Sequence, residues 1–190
     1  MAPNTKTAFA VSSARPRSKT RDLRFTLQIR AKPADVYKAL TSATVLCRWW
    51  LAGAETDARN TGRFRMVWPT VRRHGRNERV FPPNVALGDS EGHFVDLEPS
   101  RKVAWMWKLP RGGRYPALSS FFLQPKGRGC EVMLLHAGFS AKADADKYFT
   151  GCADGWEDCL AKLKLYLETG RTCKSQALTF EGLKQLLREK

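Results

Sequence analysis

From Arg24 to Arg30 apolar and polar residues alternate, with Phe25, Leu27 and Ile29 on one side, and this period of two predicts a half-buried strand. Pro33 then opens a helix at its first turn, where a missing N–H costs nothing. Val36, Tyr37 and Leu40 form its apolar side, and Thr41-Ser42 breaks it. A second short helix is expected over 44–51, ending in Arg48-Trp49-Trp50. Alternation returns over 62–68, setting Phe64, Met66 and Trp68 against Arg63, Arg65 and Val67. Over 69–88 the period dissolves, and Arg72, Arg73, His74, Gly75, Arg76, Arg79 and Pro82-Pro83 predict a long loop or a protruding hairpin. Strands follow at about 91–97, 101–108, 118–124 and 129–137. Within 144–168, Tyr148, Trp156, Leu160, Leu163 and Leu167 recur at helical spacing, and Gly170 is a natural stop for that long helix. Beyond it, Leu178, Phe180, Leu183, Leu186 and Leu187 predict a short amphipathic helix.

The predicted class is therefore α+β: a bent antiparallel sheet wrapped around a long C-terminal helix, with two short helices after the first strand. The expected organisation is a flexible basic tail over 1–23, one domain over 24–169 with the 69–88 insertion, and a basic extension over 170–190. At 190 residues with 43% hydrophobic content the chain buries a real core. It holds no apolar run long enough to span a membrane. The cysteines at 47, 130, 152, 159 and 173 are odd in number and follow no ligand spacing, which predicts reduced thiols. That places the protein inside the cell, in the cytoplasm. The alternative is the mitochondrial matrix, because the acid-poor, hydroxylated N-terminal segment has a transit-peptide composition.

The net charge of +15 is concentrated. Residues 1–24, the arginine-rich 63–80 segment and the last twenty residues carry nearly all of it. Such a distribution suits contact with polyanions such as RNA, through Arg63, Arg65, Arg72, Arg73, Arg76 and Arg79, or with an acidic protein face. The plain alternative is a solvated basic hairpin.

Several local sequences occur in the order expected of one family. Ala39-Leu40-Thr41 precedes Cys47-Arg48-Trp49-Trp50, and Gly62-Arg63-Phe64 opens a strand. Glu98-Pro99-Ser100-Arg101-Lys102-Val103 forms a turn, Trp105-Met106-Trp107 ends a strand, His136-Ala137-Gly138-Phe139 leaves the last strand, and Gly155-Trp156 sits in the long helix. Over residues 23–168 this resembles the START-like SRPBCC superfamily, and within it the activator of heat-shock protein 90 ATPase (C-terminal domain). The resemblance implies a helix-grip fold. It does not fix a function, since that scaffold hosts lipid carriers, cyclases and co-chaperones.

If the strands alternate as read, Phe64, Trp68, Trp105, Trp107, Phe121 and His136 face the hollow of the sheet. Trp49 and Trp50 close one end, and Tyr148 and Trp156 come from the gripped helix. An aromatic-lined cavity with few polar groups binds a hydrophobic or flat small molecule; the alternative is that the rings fill the interior. His136 has no orienting carboxylate in view and reads as a hydrogen-bonded core histidine, or else as a group that orients a ligand. Met106, Phe122, Met133 and Leu135 fall on the outer face, a patch that soluble monomers seldom leave bare. It is expected to be covered by a second copy, by another protein or by the C-terminal tail. No metal spacing, cofactor motif or catalytic residue set is present, so binding is expected rather than turnover. Three functions stay open: a ligand-binding domain, an interaction subunit of a protein or ribonucleoprotein assembly, and a co-chaperone-like regulator.

Overall fold

Seven strands hydrogen-bond into one antiparallel sheet, and the alternation read along the chain decides which of its faces is buried. The computed structural model describes residues 20–73, 76–79, 89–109 and 116–188. In chain order the elements are β1 (Thr20–Ile29), α1 (Pro33–Thr41), α2 (Ala43–Trp49), β2 (Gly53–Thr56), β3 (Arg63–Val67), β4 (Thr70–Arg73) and β5 (Arg76–Arg79). Then follow β6 (Ser90–Glu98), β7 (Lys102–Trp107), β8 (Leu118–Lys126), β9 (Gly129–Ser140), α3 (Asp146–Thr169) and α4 (Phe180–Arg188). The sheet runs β1-β9-β8-β7-β6-β3-β2, and β4 with β5 forms a separate two-stranded ribbon.

The inward set along β3, β7, β8 and β9 is Phe64, Met66, Val103, Trp105, Phe121, Leu123, Val132, Leu134 and His136, all buried. Helices α1, α2 and α3 fill the hollow they line, so the helix-grip architecture is what forms. Pro33 occupies the first turn of α1, and Ser42 turns extended (φ −85°, ψ 120°) between the two short helices. The indole Nε1 of Trp49 donates to the Ala39 carbonyl at 3.1 Å and locks them together. Gly170 adopts φ 72°, the left-handed conformation that closes α3, and its N–H donates to the Tyr166 carbonyl.

Three features differ from expectation. The first strand starts at Thr20, because a bulge between Arg21 and Leu23 lets its beginning continue along β9 to Ser140. Strand β2 has no apolar alternation of its own; pairing with β3 from Gly53↔Val67 to Thr56↔Phe64 holds it as a sheet edge. The C-terminal tail does not cover the outer sheet face. It crosses to the helical side, where Leu178, Phe180 and Leu183 are buried in the core. The ring of Phe180 packs 6.4 Å from that of Phe25.

That crossing is tied down by polar groups of α3 and α2. Asp158 accepts the Leu178 N–H at 2.7 Å, and Glu157 accepts the Phe180 N–H at 2.7 Å, where α4 begins. Thr179 Oγ1 accepts the Gly182 N–H at 3.1 Å, an N-cap contact. Lys174 Nζ donates to the Cys47 and Leu51 carbonyls at 2.8 and 3.3 Å, satisfying the end of α2. Beneath the tail lies an ion pair between Asp158 and Lys162 at 2.8 Å, the two residues only 2% and 3% exposed. The expected N-terminal tail up to residue 19, His74, Gly75 and residues 80–88 lie outside the described residues.

Candidate functional site in the aromatic centre

Trp105 is the hub of the interior. Its ring lies 5.0 Å from Phe121, 5.5 Å from Trp107, 6.1 Å from Trp50, and 6.2 Å from both Phe64 and Trp156. Trp50 and Trp156 are close to parallel with it, and Trp107 meets it edge-on, both arrangements that ring quadrupoles favour. Trp50 also stacks on Trp49 at 5.3 Å and meets Trp68 edge-on at 5.0 Å. β3, β7, β8, α2 and α3 thus converge on one indole.

Four of the six indole N–H groups donate to protein acceptors. Trp49 reaches the Ala39 carbonyl, Trp68 the Ser90 hydroxyl at 2.8 Å, Trp107 the Ser119 hydroxyl at 2.8 Å, and Trp156 the His136 ring at 2.9 Å. Trp105, fully buried, is the exception: its Nε1 has no acceptor. Trp50, Trp68, Trp107 and Trp156 around it keep some contact with solvent.

His136 is held neutral by geometry. Its Nδ1 accepts from Trp156, so Nε2 carries the proton and donates to the Pro116 carbonyl at 2.8 Å. Burial pushes its pKa below the ordinary histidine value, against a smaller upward pull from that carbonyl. The group is a bracket between β9, α3 and the start of β8, with no carboxylate bonded to it. The folded value lies below the unfolded one, so the unfolded chain binds the extra proton. Stability contributed by this site is therefore present above about pH 6.5 and is lost as pH falls through the window between the two values. Urea melts of the wild type and of His136→Gln across pH 7.5 to 5 test this. The wild type is expected to lose stability more steeply below about pH 6.5, with a slope difference of up to about 1.4 kcal/mol per pH unit.

Of the ring residues expected in the hollow, all but Tyr148 take part in this network or border it. Tyr148 is half-buried on the first turn of α3, about two turns from Trp156. The structure adds Phe94, fully buried and 5.4 Å from the ring of Phe64, and Phe139, 4.6 Å from the ring of His136. The inward alternation of β6 could have identified Phe94. Phe139 comes inward only because Gly138 reaches φ 92°.

The other expected sites are distinct from this centre. On the outer face, Met106 pairs with Leu118 and Phe122 with Met133, while Leu135 pairs with Ser120. Met106 is 37% and Leu118 41% exposed, whereas Phe122, Met133 and Leu135 are half-buried. Lys102 lies 5.4 Å over the Phe122 ring and pairs with Asp96 at its border. Among the arginines, Arg65 is bound by both Glu55 and Asp89, and Arg63 is exposed one register step away. Arg72 and Arg73 lie on β4, Arg76 and Arg79 on β5. A groove of about 660 Å³ on the outer side of β2, β3 and β6 mixes Glu55, Arg65, Glu91 and Lys108, so it concentrates neither sign of charge. The cysteines are free thiols, and burial raises Cys130 and Cys152 to about 11, which leaves those two inert as nucleophiles. No cluster of metal-ligating side chains occurs among the described residues. No described helix is long and apolar enough to cross a membrane.

A sheet gripping α3 around an aromatic centre defines a domain of the START-like SRPBCC class. The chain belongs to the Activator of Hsp90 ATPase homolog 1-like protein family, whose model matches residues 30–168. It is similar in fold to the Aha1 dimer from Colwellia psychrerythraea (21% identity, TM-score 0.59), over 80% of this chain and 98% of that one. SSP2350 from Staphylococcus saprophyticus superposes with a TM-score of 0.61 at 16% identity, covering 83% of this chain and 98% of that chain. CalU16 from Micromonospora echinospora does so at 0.56 and 20%, covering 80% and 78%. No curated protein matches the sequence.

Proposed function

We propose that this chain is a non-catalytic binding domain whose aromatic centre takes a neutral, hydrophobic or aromatic small molecule bearing one hydrogen-bond acceptor. The observation that carries this reading is the Trp105 indole N–H, buried without a partner at the hub of five rings. An unmet buried donor costs about 1–3 kcal/mol, which a ligand carbonyl or ether oxygen recovers on binding. A flat body would enter along the partly exposed edges of Trp50, Trp68, Trp107 and Trp156 and stack on the parallel indoles. The ring set contains no charged side chain, which selects against ionic ligands. The neutral, doubly bonded His136 leaves no free base, so the reading is one of holding rather than converting.

Native mass spectrometry of the protein purified from its own source tests this, together with quenching of tryptophan fluorescence by flavone, a flat aromatic ketone. A co-purifying neutral mass, or saturable quenching weakened by Trp105→Phe, supports the reading. Neither a retained mass nor saturable quenching refutes it.

The outer face supports a second reading, as an interaction subunit. Met106 and Leu118 are the most exposed of a contiguous apolar set spanning β7, β8 and β9, and such a patch marks a contact surface. A second copy is a natural occupant, since a relative of the same fold is described as a dimer. Light scattering on the wild type and Met106→Glu decides it: a dimer that the substitution dissociates supports the reading, and a wild-type monomer ends it.

A further inference from the structure

The two-stranded ribbon stands apart from the main sheet, and its register assigns its faces. The opposed pairs are Thr70↔Arg79, Val71↔Glu78, Arg72↔Asn77 and Arg73↔Arg76. Opposed residues share a face and successive ones alternate. Thr70, Arg72, Asn77 and Arg79 therefore lie on one face; Val71, Arg73, Arg76 and Glu78 lie on the other. Thr70 is exposed and Val71 half-buried, which turns the first face to solvent. That face holds no acid and no apolar residue. Each of its members is of a type that bonds base edges in the major groove: arginine to guanine, asparagine to adenine, threonine to either.

Size agrees with composition. Four residues of strand rise about 13 Å, with the two strands about 4.8 Å apart. The major groove of B-form DNA is about 12 Å wide and admits a two-stranded ribbon, whereas the deep, narrow major groove of A-form RNA does not. The ribbon carries four arginines against one glutamate on a chain of net charge +15, so phosphate attraction brings the two together. We propose that the β4–β5 ribbon is a DNA-reading element that enters the major groove of duplex DNA. Thr70, Arg72, Asn77 and Arg79 face the bases, and Arg73 and Arg76 on the other face add to the phosphate attraction. At 3.4 Å per base step the ribbon spans about four base pairs.

The experiment uses the full chain. Fluorescence anisotropy with a random-sequence 20-base-pair DNA duplex, between 50 and 200 mM KCl, reads the salt dependence. A variant with Arg72, Arg73, Arg76 and Arg79 all changed to Gln is expected to flatten the log–log slope by about 3–4, near 0.9 for each lost phosphate contact. A control with Lys38, Arg128, Lys142 and Arg188 changed to Gln matches it in net charge and is expected to shift the slope by less than about 1. An equal drop in both variants would make net charge the cause and overturn the proposal. Selection from a randomised duplex pool is expected to enrich a three- to four-base-pair element containing G and A. Arg72→Ala and Asn77→Ala should each weaken binding to it by about tenfold and relax one position. A pool left random, a matched RNA duplex bound as well as the DNA, or displacement of DNA by polyglutamate at equal charge would each overturn it.

Discussion

Asp158→Ala is expected to lower the unfolding free energy by about 3–5 kcal/mol, the largest loss of any single polar substitution in this chain. The reason is what it leaves behind. Lys162 is one helical turn away, 3% exposed, and pairs with Asp158 at 2.8 Å. Without the carboxylate its ammonium is a buried charge beneath the C-terminal tail. The same substitution strips the acceptor from the Leu178 N–H, which adds about another 1 kcal/mol. In a chain of this length such a loss lowers the melting temperature by roughly 10 °C or more. Urea denaturation gives the magnitude, and hydrogen exchange at the Leu178 amide shows whether the tail loosens first.

The pair itself is not a net source of stability. Burial pushes the Asp158 carboxyl above its ordinary pKa even though Lys162 and the Leu178 N–H both pull it down. Desolvation therefore outweighs the attraction, the usual balance for an ion pair taken out of water. It follows that Asp158→Leu combined with Lys162→Met restores most of the stability lost in Asp158→Ala. A double variant as unstable as the single one would show that the pair is worth more than its desolvation cost.

This pair also marks the limit of what the sequence shows. An acid and a base four residues apart on a helix ordinarily form an exposed surface pair. Only the tail makes this one buried, and the tail's docking is not written in its own pattern. Leu178, Phe180 and Leu183 announce an apolar stripe without naming its partner, and the family match ends at residue 168, before the tail begins. The outer sheet face was a reasonable alternative until Asp158 and Glu157 were seen to bind the Leu178 and Phe180 N–H groups. By contrast the sheet was legible, because period two in β3, β7 and β9 reports directly on which side faces α3. Strand β2 was not, since Gly53 to Thr56 owes its conformation to a neighbour's backbone rather than to its own side chains. The ring set could be listed from alternation, but which of its N–H groups lacks an acceptor depends on ångström-scale placement of Ser90, Ser119 and His136.

That distinction yields the second expected result. Trp105→Phe and Trp156→Phe remove the same atoms from the same cluster, yet the second is expected to cost at least about 2 kcal/mol more. Both create a similar void, and Trp105, at 0% exposure against 7% for Trp156, is the more deeply buried. Packing alone therefore ranks Trp105 as the costlier loss. Hydrogen bonding reverses the order. Trp156→Phe leaves His136 Nδ1 without its donor and slackens the bracket to Pro116. Trp105→Phe removes a donor that had no acceptor, and so sheds a desolvation penalty. Trp105→Ala, which also removes the ring, is expected to cost about 3–5 kcal/mol and serves as the packing reference. Chemical denaturation of the three variants settles the order. If Trp105→Phe proves as costly as Trp156→Phe, the central indole N–H has a favourable partner in the folded chain, and the case for a ligand acceptor at that atom is lost with it.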